Sequence, residues 1–391
     1  MNVITINRQY GAGGGEVAQK LAHALGWELL DRELLHQAAA IGHVPDAELQ
    51  RLDEKAVGMA DRFRLHPPHQ SYLHGLKAVV QQAAERGNVI LVGRGARHLL
   101  GDRPGALHLR LTAPKGWRAE RMVRLEGLTP EQAMARCTEI DRTRENFSRY
   151  FFGNQASAPA EYDLVVNTGR VPLDDVVTVA AEVVRGVSAA AGAAPAGRRV
   201  LTISRELGAG ERGFAPAVAQ RLGMPVYDRE LLEQEAVRLG IAESELEKID
   251  ERPASIFQRF RPGSIYQRYI ETLGQLMQDL AQRGDVILVG RGGTRFLRNH
   301  PGAFHVHLVA PLPVRIRRVM EYHWVRENVA KKLIAESDAQ RRSFYESYFG
   351  ADWGSPLEYD ITVNTGRLGP AAVELVTLAA GLAWSRVGQR S

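Results

Sequence analysis

Short, unbroken apolar runs alternate along this chain with longer stretches in which apolar residues recur every three or four positions. The runs fall at 3–7, 88–93, 106–111 and 163–167, and Trp27 to Leu30 is a further short one. They are continuous and not alternating, which predicts strands buried on both faces of a sheet. The first run, Val3 to Asn7, leads through a glycine-rich turn into the helical pattern of Val17, Ala18, Leu21 and Leu25. Residues 33 to 87 carry a helical pattern and no strand signal, so they predict a helical insert at one end of the sheet. Residues 115 to 150 form a second helical stretch, rich in arginine, and Leu173 to Val187 predicts a closing helix after Gly169 and Pro172. Strands alternating with helices predict a parallel, doubly wound α/β sheet.

The whole pattern occurs twice, 197 residues apart and without a gap. Asp31-Arg32-Glu33-Leu34-Leu35 returns as Asp228-Arg229-Glu230-Leu231-Leu232, and Val89 to Gly95 returns as Val286 to Gly292. Glu161 to Arg170 returns as Glu358 to Arg367. A period this long marks two complete domains, not a solenoid. The expected division is 1–187 for the first copy, an Ala- and Gly-rich linker at 188–199, and 200–391 for the second.

Composition narrows the class. The 391 residues, 45% hydrophobic and 24% charged, suit two soluble globular domains. No apolar run reaches about 18 residues and no signal peptide is apparent, so the expected location is the cytoplasm, with no membrane partner. The single cysteine, Cys137, excludes a disulfide framework within the chain and a cysteine-built metal cluster. His66 and His69, like His305 and His307, lack a neighbouring carboxylate cluster and read as loop or packing residues, so no metal site of the protein's own is expected. Trp324 and Trp353 read as packing. The net charge of +5 rests on 50 basic residues, yet none of the basic stretches interleaves with stacking aromatics. The arginines therefore read as ligands of a small phosphorylated molecule, not of nucleic acid.

The glycine turn has the layout of a phosphate-binding loop, in which main-chain amides and a helix N-terminus converge on an anion. Aligned with G-x-x-x-x-G-K-[ST], the first glycine is Arg8 in one copy and Arg205 in the other, and the last is Gly13 or Gly210. Gly14 and Glu211 stand at the lysine position, and Gly15 and Arg212 at the hydroxyl position. Gly208-x-Gly210-x-x-Gly213, with Asp228 beyond it, also matches a dinucleotide fingerprint, but Glu16 breaks that pattern in the first copy. A dinucleotide-dependent oxidoreductase is therefore a remote alternative.

The order of these segments resembles the nucleoside monophosphate kinases, most closely the cytidylate kinase-like family, over nearly all of both copies. The resemblance rests on the Arg8-Gln9-Tyr10-Gly11 loop, Asp31-Arg32-Glu33, Gly93-Arg94-Gly95, Leu111-Thr112-Ala113 with Arg118 and Arg121, Asp141 to Arg144, Tyr162-Asp163 and Asn167-Thr168. It implies two tandem P-loop domains with helical monophosphate-binding and lid inserts, ATP and Mg²⁺ as cofactors, and a small nucleotide as the other partner. It implies transfer from ATP to CMP or dCMP; the alternative is a nucleotide-binding module with degraded catalysis. Pairing of the two copies within the chain is a further expectation.

Roles follow by resemblance. Arg8, Gly11, Ala12, Gly13, Gly14, Gly15 and Glu16 would hold the donor, as would Arg205, Gly208, Ala209, Gly210, Glu211, Arg212 and Gly213. Asp31, Arg32 and Arg94, with Asp228, Arg229 and Arg291, would hold the acceptor. Arg118, Arg121, Arg142 and Arg144, with Arg315, Arg318, Arg341 and Arg342, resemble lid arginines that neutralise the transferring group, and Asp141 and Asp338 would orient them. Read without the resemblance, Arg118 and Arg121 fit a solvated helix face, Arg142 and Arg144 cannot share one face, and Asp31 fits a helix cap. The lysine is missing from both copies, and Arg8 and Arg205 are the candidates to replace it.

Overall fold

The structure is a computed structural model, and residues 1–31, 68–186, 199–210, 213–228 and 265–388 are described. It divides into two compact units, Met1–Ser188 and Ala189–Ser391. Arg32, Arg229, Glu211, Arg212, most of the proposed linker and much of the helical insert lie outside the described residues.

In the first unit the order is β1 (Val3–Arg8), α1 (Gly14–Leu25), β2 (Glu28–Leu30), α2 (Pro68–Arg86), β3 (Val89–Val92) and α3 (Ala96–Leu100). There follow β4 (Ala106–Thr112), α4 (Lys115–Glu126), α5 (Pro130–Phe152), β5 (Leu164–Asn167) and α6 (Leu173–Arg185). The strands lie in the order β2-β3-β1-β4-β5, every pair parallel, with Val3 opposite Val89 and Ala106. Val3, Val89 and Leu91 pack under Leu76, Val80 and Ala84 of α2. Strand alternation sends Ile4, Ile6 and Ile90 to the other face, where they too are buried. Burial on both faces is why β3 is an unbroken apolar run and why the buried polar residues of β1 and β4, Thr5 and His108, are paired with each other.

Helix α1 forms because Val17, Ala18 and Leu21 share one buried stripe, and it stops at Gly26 in the left-handed region. Burying a Val or Leu side chain contributes roughly 1.5–3 kcal/mol, so that stripe anchors the helix behind the loop. Helix α5 begins with a reciprocal cap: Gln132 N–H donates to Thr129 Oγ1 (3.2 Å) and Thr129 N–H donates to Gln132 Oε1 (3.0 Å). The sheet is also pinned from within. Asp163 Oδ2 accepts from the His108 amide at 2.6 Å, and His108 Nδ1 meets Thr5 Oγ1 at 2.8 Å.

The second unit repeats the plan with β6 (Val200–Arg205), α7 (Phe214–Leu222), β7 (Val226–Tyr227), α8 (Ile265–Arg283), β8 (Val286–Val289) and α9 (Gly293–Phe296). It continues through β9 (Ala303–Val309), α10 (Leu312–His323), α11 (Glu327–Phe349), β10 (Ile361–Asn364), α12 (Thr365–Leu368) and α13 (Ala371–Gly388). Its strand order is β7-β8-β6-β9-β10, again parallel throughout. The internal pins recur as Asp360 on the His305 amide (2.6 Å) and His305 Nδ1 against Thr202 Oγ1 (2.7 Å). Among the described residues no helix is long and apolar enough to cross a membrane.

Candidate functional site

The turn between β1 and α1 is built for a close main-chain approach. Gly11 and Gly13 sit in the left-handed region (φ 79° and 83°), and a Cβ on Gly13 would come within 2.7 Å of Leu173. Gly13 caps α1 without a side-chain hydrogen bond, so the amides of Gly14, Gly15 and Glu16 lack an intrahelical acceptor. That arrangement suits an anion. Ala12 is buried behind the turn, and its carbonyl accepts from Thr168 Oγ1 at 2.9 Å.

Helices α4 and α5 hold the turn in place. Asp141 accepts from the Tyr10 amide (2.8 Å) with one carboxylate oxygen and from Arg118 Nη1 (2.7 Å) with the other. Arg118 also donates to the carbonyls of Tyr10 (2.8 Å) and Ala113 (2.9 Å) and is only 4% exposed. It is thus neither solvated nor at the mouth of a cavity; in this conformation it clamps the loop. Arg121 instead pairs with Glu16 at 2.7 Å, and Glu16 also meets Lys20 at 2.8 Å. Hydrogen bonding from Lys20, then the charges of Lys20 and Arg121 with a bond from Arg121, hold the Glu16 carboxyl below its ordinary range against the opposing effect of burial.

A cavity of about 1130 Å³ opens at the C-terminal edge of the sheet, where open α/β sheets bind ligands. The end of β1 supplies Asn7 and Arg8, the turn after β2 Asp31, the turn after β3 Gly93, Arg94 and Gly95, and β4 Arg110. Helix α5 supplies Arg136, Asp141, Arg142, Arg144 and Ser148. Arg142 and Arg144 therefore border one cavity although they are two residues apart, because it wraps more of the helix than a single stripe. Arg8 joins loop to cavity. Its stem runs against Gly14, and its guanidinium lies over Gly93, where a Cβ would overlap it. Arg8 Nη2 donates to Asp31 Oδ1 at 3.3 Å, and Arg144 Nη1 donates to the Arg8 carbonyl at 3.1 Å. Arg94 occupies the left-handed region (φ 52°), unusual for a residue with a side chain, and is half-buried at the cavity wall.

The sequence pattern missed several of these neighbours. Arg110 lies between Leu109 and Leu111 on the buried strand β4 and donates to Asn7 Oδ1 at 3.0 Å; a full charge within a buried strand is the sequence signal for it. Tyr10 donates to Glu126 at 2.6 Å, and Arg136 pairs with the same carboxylate at 2.8 Å. Burial first, and then Glu126, push the Tyr10 hydroxyl up to about 12. Nothing in the spacing of Tyr10, Glu126 and Arg136 announces that cluster.

The second unit keeps the clamp and changes its surroundings. Asp338 accepts from the Leu207 amide at 3.1 Å and pairs with Arg315, which also meets Glu206 at 3.1 Å. Burial raises the Glu206 carboxyl above its ordinary value, and the Arg315 charge opposes that. Where Glu16 stood there is Gly213, and Arg318 turns to the Gly208 carbonyl (3.2 Å) and Thr365 Oγ1 (2.9 Å). Thr365 in turn donates to the Ala209 carbonyl at 2.6 Å, and Gly210 is again at positive φ. Arg205 lies over Gly290 as Arg8 does over Gly93, and Arg291 is left-handed at φ 50°. Arg341 approaches Asp338 at 3.6 Å, whereas Arg342 and Asp228 are exposed. Trp324 corrects the packing expectation: it is 92% exposed, while Trp353 is buried at 2%. Among the described residues no group of three or more His, Cys, Asp or Glu is placed to hold a metal ion.

Comparison with known proteins agrees with the duplication. The family model described as the cytidylate kinase-like family matches twice, at residues 3–170 and 200–367. The chain is 27% identical over 187 residues to a cytidylate kinase of Pyrococcus horikoshii, covering 48% of this chain and 90% of that protein. It is likewise 27% identical over 187 residues to a cytidylate kinase of Thermococcus kodakarensis, covering 48% and 89%. Among solved structures, a shikimate kinase from Bacteroides thetaiotaomicron aligns at 16% identity and a TM-score of 0.30, covering 47% of this chain and 98% of that one. With two matches that together span most of its length, and with the sheet order and loop geometry of both units in accord, the chain belongs to the cytidylate kinase-like family.

Proposed function

We propose that the first unit transfers the γ-phosphoryl group of ATP, with Mg²⁺, to CMP or dCMP, giving ADP and CDP or dCDP. The observation that carries this reading is the convergence of Arg8, Arg94 and Arg144, from three different elements, on one cavity beside an uncapped helix N-terminus. The amides of Gly14, Gly15 and Glu16 fit the donor phosphates. Arg94 fits the acceptor phosphate, because a guanidinium pairs with two phosphate oxygens through its planar fork. Arg8, lying between loop and cavity, supplies positive charge where the usual lysine is missing; Arg142 and Arg144 border the space in which charge would spread during transfer. Mg²⁺ characteristically binds through substrate phosphates with one or two carboxylates, and Asp31 and Asp141 border the same cavity. When bound it would neutralise phosphate charge.

Release of ADP, measured in a coupled assay with ATP–Mg²⁺ and each of CMP, dCMP, UMP and AMP, tests the reaction. Turnover with CMP or dCMP supports it; nucleotide binding with no ADP release from any acceptor would sink it. That second result is what a nucleotide-binding module with degraded catalysis predicts. One feature favours that reading: both oxygens of Asp141 are already engaged by the loop amide and Arg118.

A further inference from the structure

The two units differ where the cavity lies. Of the six arginines bordering it in the first unit, Arg8, Arg94 and Arg144 keep arginine counterparts in Arg205, Arg291 and Arg341. The other three do not: the 197-residue offset puts His307 at the place of Arg110, Leu333 at that of Arg136 and Ala339 at that of Arg142. Three of the six arginines of that wall are therefore gone, and the one arginine gained, Arg342 at the place of Glu145, is exposed.

The space itself is occupied. Ser204 replaces Asn7, Tyr345 replaces Ser148, and Trp353 replaces Ala156. Trp353 is 2% exposed, and its indole N–H donates to Ser204 Oγ at 2.9 Å, so the ring spans to the strand position that borders the cavity in the first unit. His307 stacks on Tyr359 (centroids 4.5 Å, 14°) and meets the Trp353 ring edge-on at 5.2 Å. Tyr345 is 5% exposed, and the Tyr359 hydroxyl donates to the Trp353 carbonyl at 2.9 Å. Rings packed at these distances, with the polar edges of Trp353 and Tyr359 hydrogen-bonded within the cluster, make a core and not a ligand wall.

We infer that the chain has one acceptor site, in the first unit, and that the matching site of the second unit is sealed by Trp353, Tyr345 and His307. The count of sites rests on the proposed reaction; the seal does not. The intact chain is titrated calorimetrically with CMP, and then with dCMP, UMP and AMP. One monophosphate per chain is expected, with affinity at least about 100-fold lower in Arg94→Met. Two per chain, or a full-affinity site surviving in Arg94→Met, overturns the inference and leaves the reaction standing. If none of the four binds, the proposed reaction falls, and the seal is judged with Trp353→Gly. Indole is then expected to raise the Tm of that variant and not of the unmodified chain, as a ligand refilling a vacated apolar cavity. No rise overturns the seal. Should Trp353→Gly fail to fold, Trp353→Leu with benzene gives the same readout.

Discussion

Asp141 shows how one side chain ties loop to lid: its two oxygens join the Tyr10 amide to the Arg118 guanidinium. In Asp141→Ala a guanidinium only 4% exposed loses its partner, and stability is expected to fall by about 3 kcal/mol, read from urea unfolding. Asp141→Asn keeps the acceptor for the amide and should lose less. His307 makes the opposite kind of statement. Burial, and then the charges of Arg341 and Arg315, depress it from 6.5 to about 3, so the folded chain holds it neutral. As pH falls below about 6.5 the unfolded chain gains a proton that the folded chain refuses, so stability present at neutral pH is lost toward pH 3. The loss attributable to this residue is on the order of 4–5 kcal/mol at pH 3. Thermal melts of the unmodified chain and His307→Gln between pH 7 and 4 should converge as the pH drops; parallel curves would refute it.

At the level of elements, the strand ends and helix ends carry the chemistry. The last residue of β1, Arg8, crosses from the glycine turn to Gly93. Arg8→Ala is expected to lower turnover roughly 100- to 1000-fold, the usual effect of removing one group that stabilises transition-state charge. Unchanged turnover and ATP affinity would show that another cation does this work. Helix termini differ between the units for reasons of backbone conformation. Helix α4 ends on Gly127 at φ 67°, while α10 ends on Trp324 at φ 54°, in a region that costs a residue with a Cβ about 1–2 kcal/mol. Because Trp324 is 92% exposed, little packing offsets that cost, and Trp324→Gly is expected to stabilise the second unit by about 1 kcal/mol in calorimetry. A lower Tm would mean the indole makes a contact that matters.

On the scale of the whole molecule, the chain is two units, each with its own sheet and core. Residues 1–188, expressed without the rest, are expected to unfold in one cooperative transition and to carry the proposed release of ADP on their own; a fragment that stays unfolded in circular dichroism would contradict this. The strands and the repeat were legible because burial on both faces selects short stretches rich in β-branched and leucine residues, and the 197-residue offset preserves them. The glycine turn and Gly93-Arg94-Gly95 were legible because left-handed backbone conformations select glycine. The Glu126–Arg136 pair and the engagement of Arg118 by Asp141 were not, since these partners lie on different helices and meet only after α4 folds back on α5.

By itself, then, the sequence determined the strand and helix pattern, the duplication and the place of the glycine turn between β1 and α1, because each depends on local periodicity or on backbone conformations that one residue type tolerates best. Only the tertiary structure decided which arginines border the first unit's cavity and which are spent on holding the loop. It also decided that Trp353, Tyr345 and His307 fill the corresponding space in the second unit. Those outcomes depend on where side chains from distant segments converge, and spacing along a chain carries no information about that.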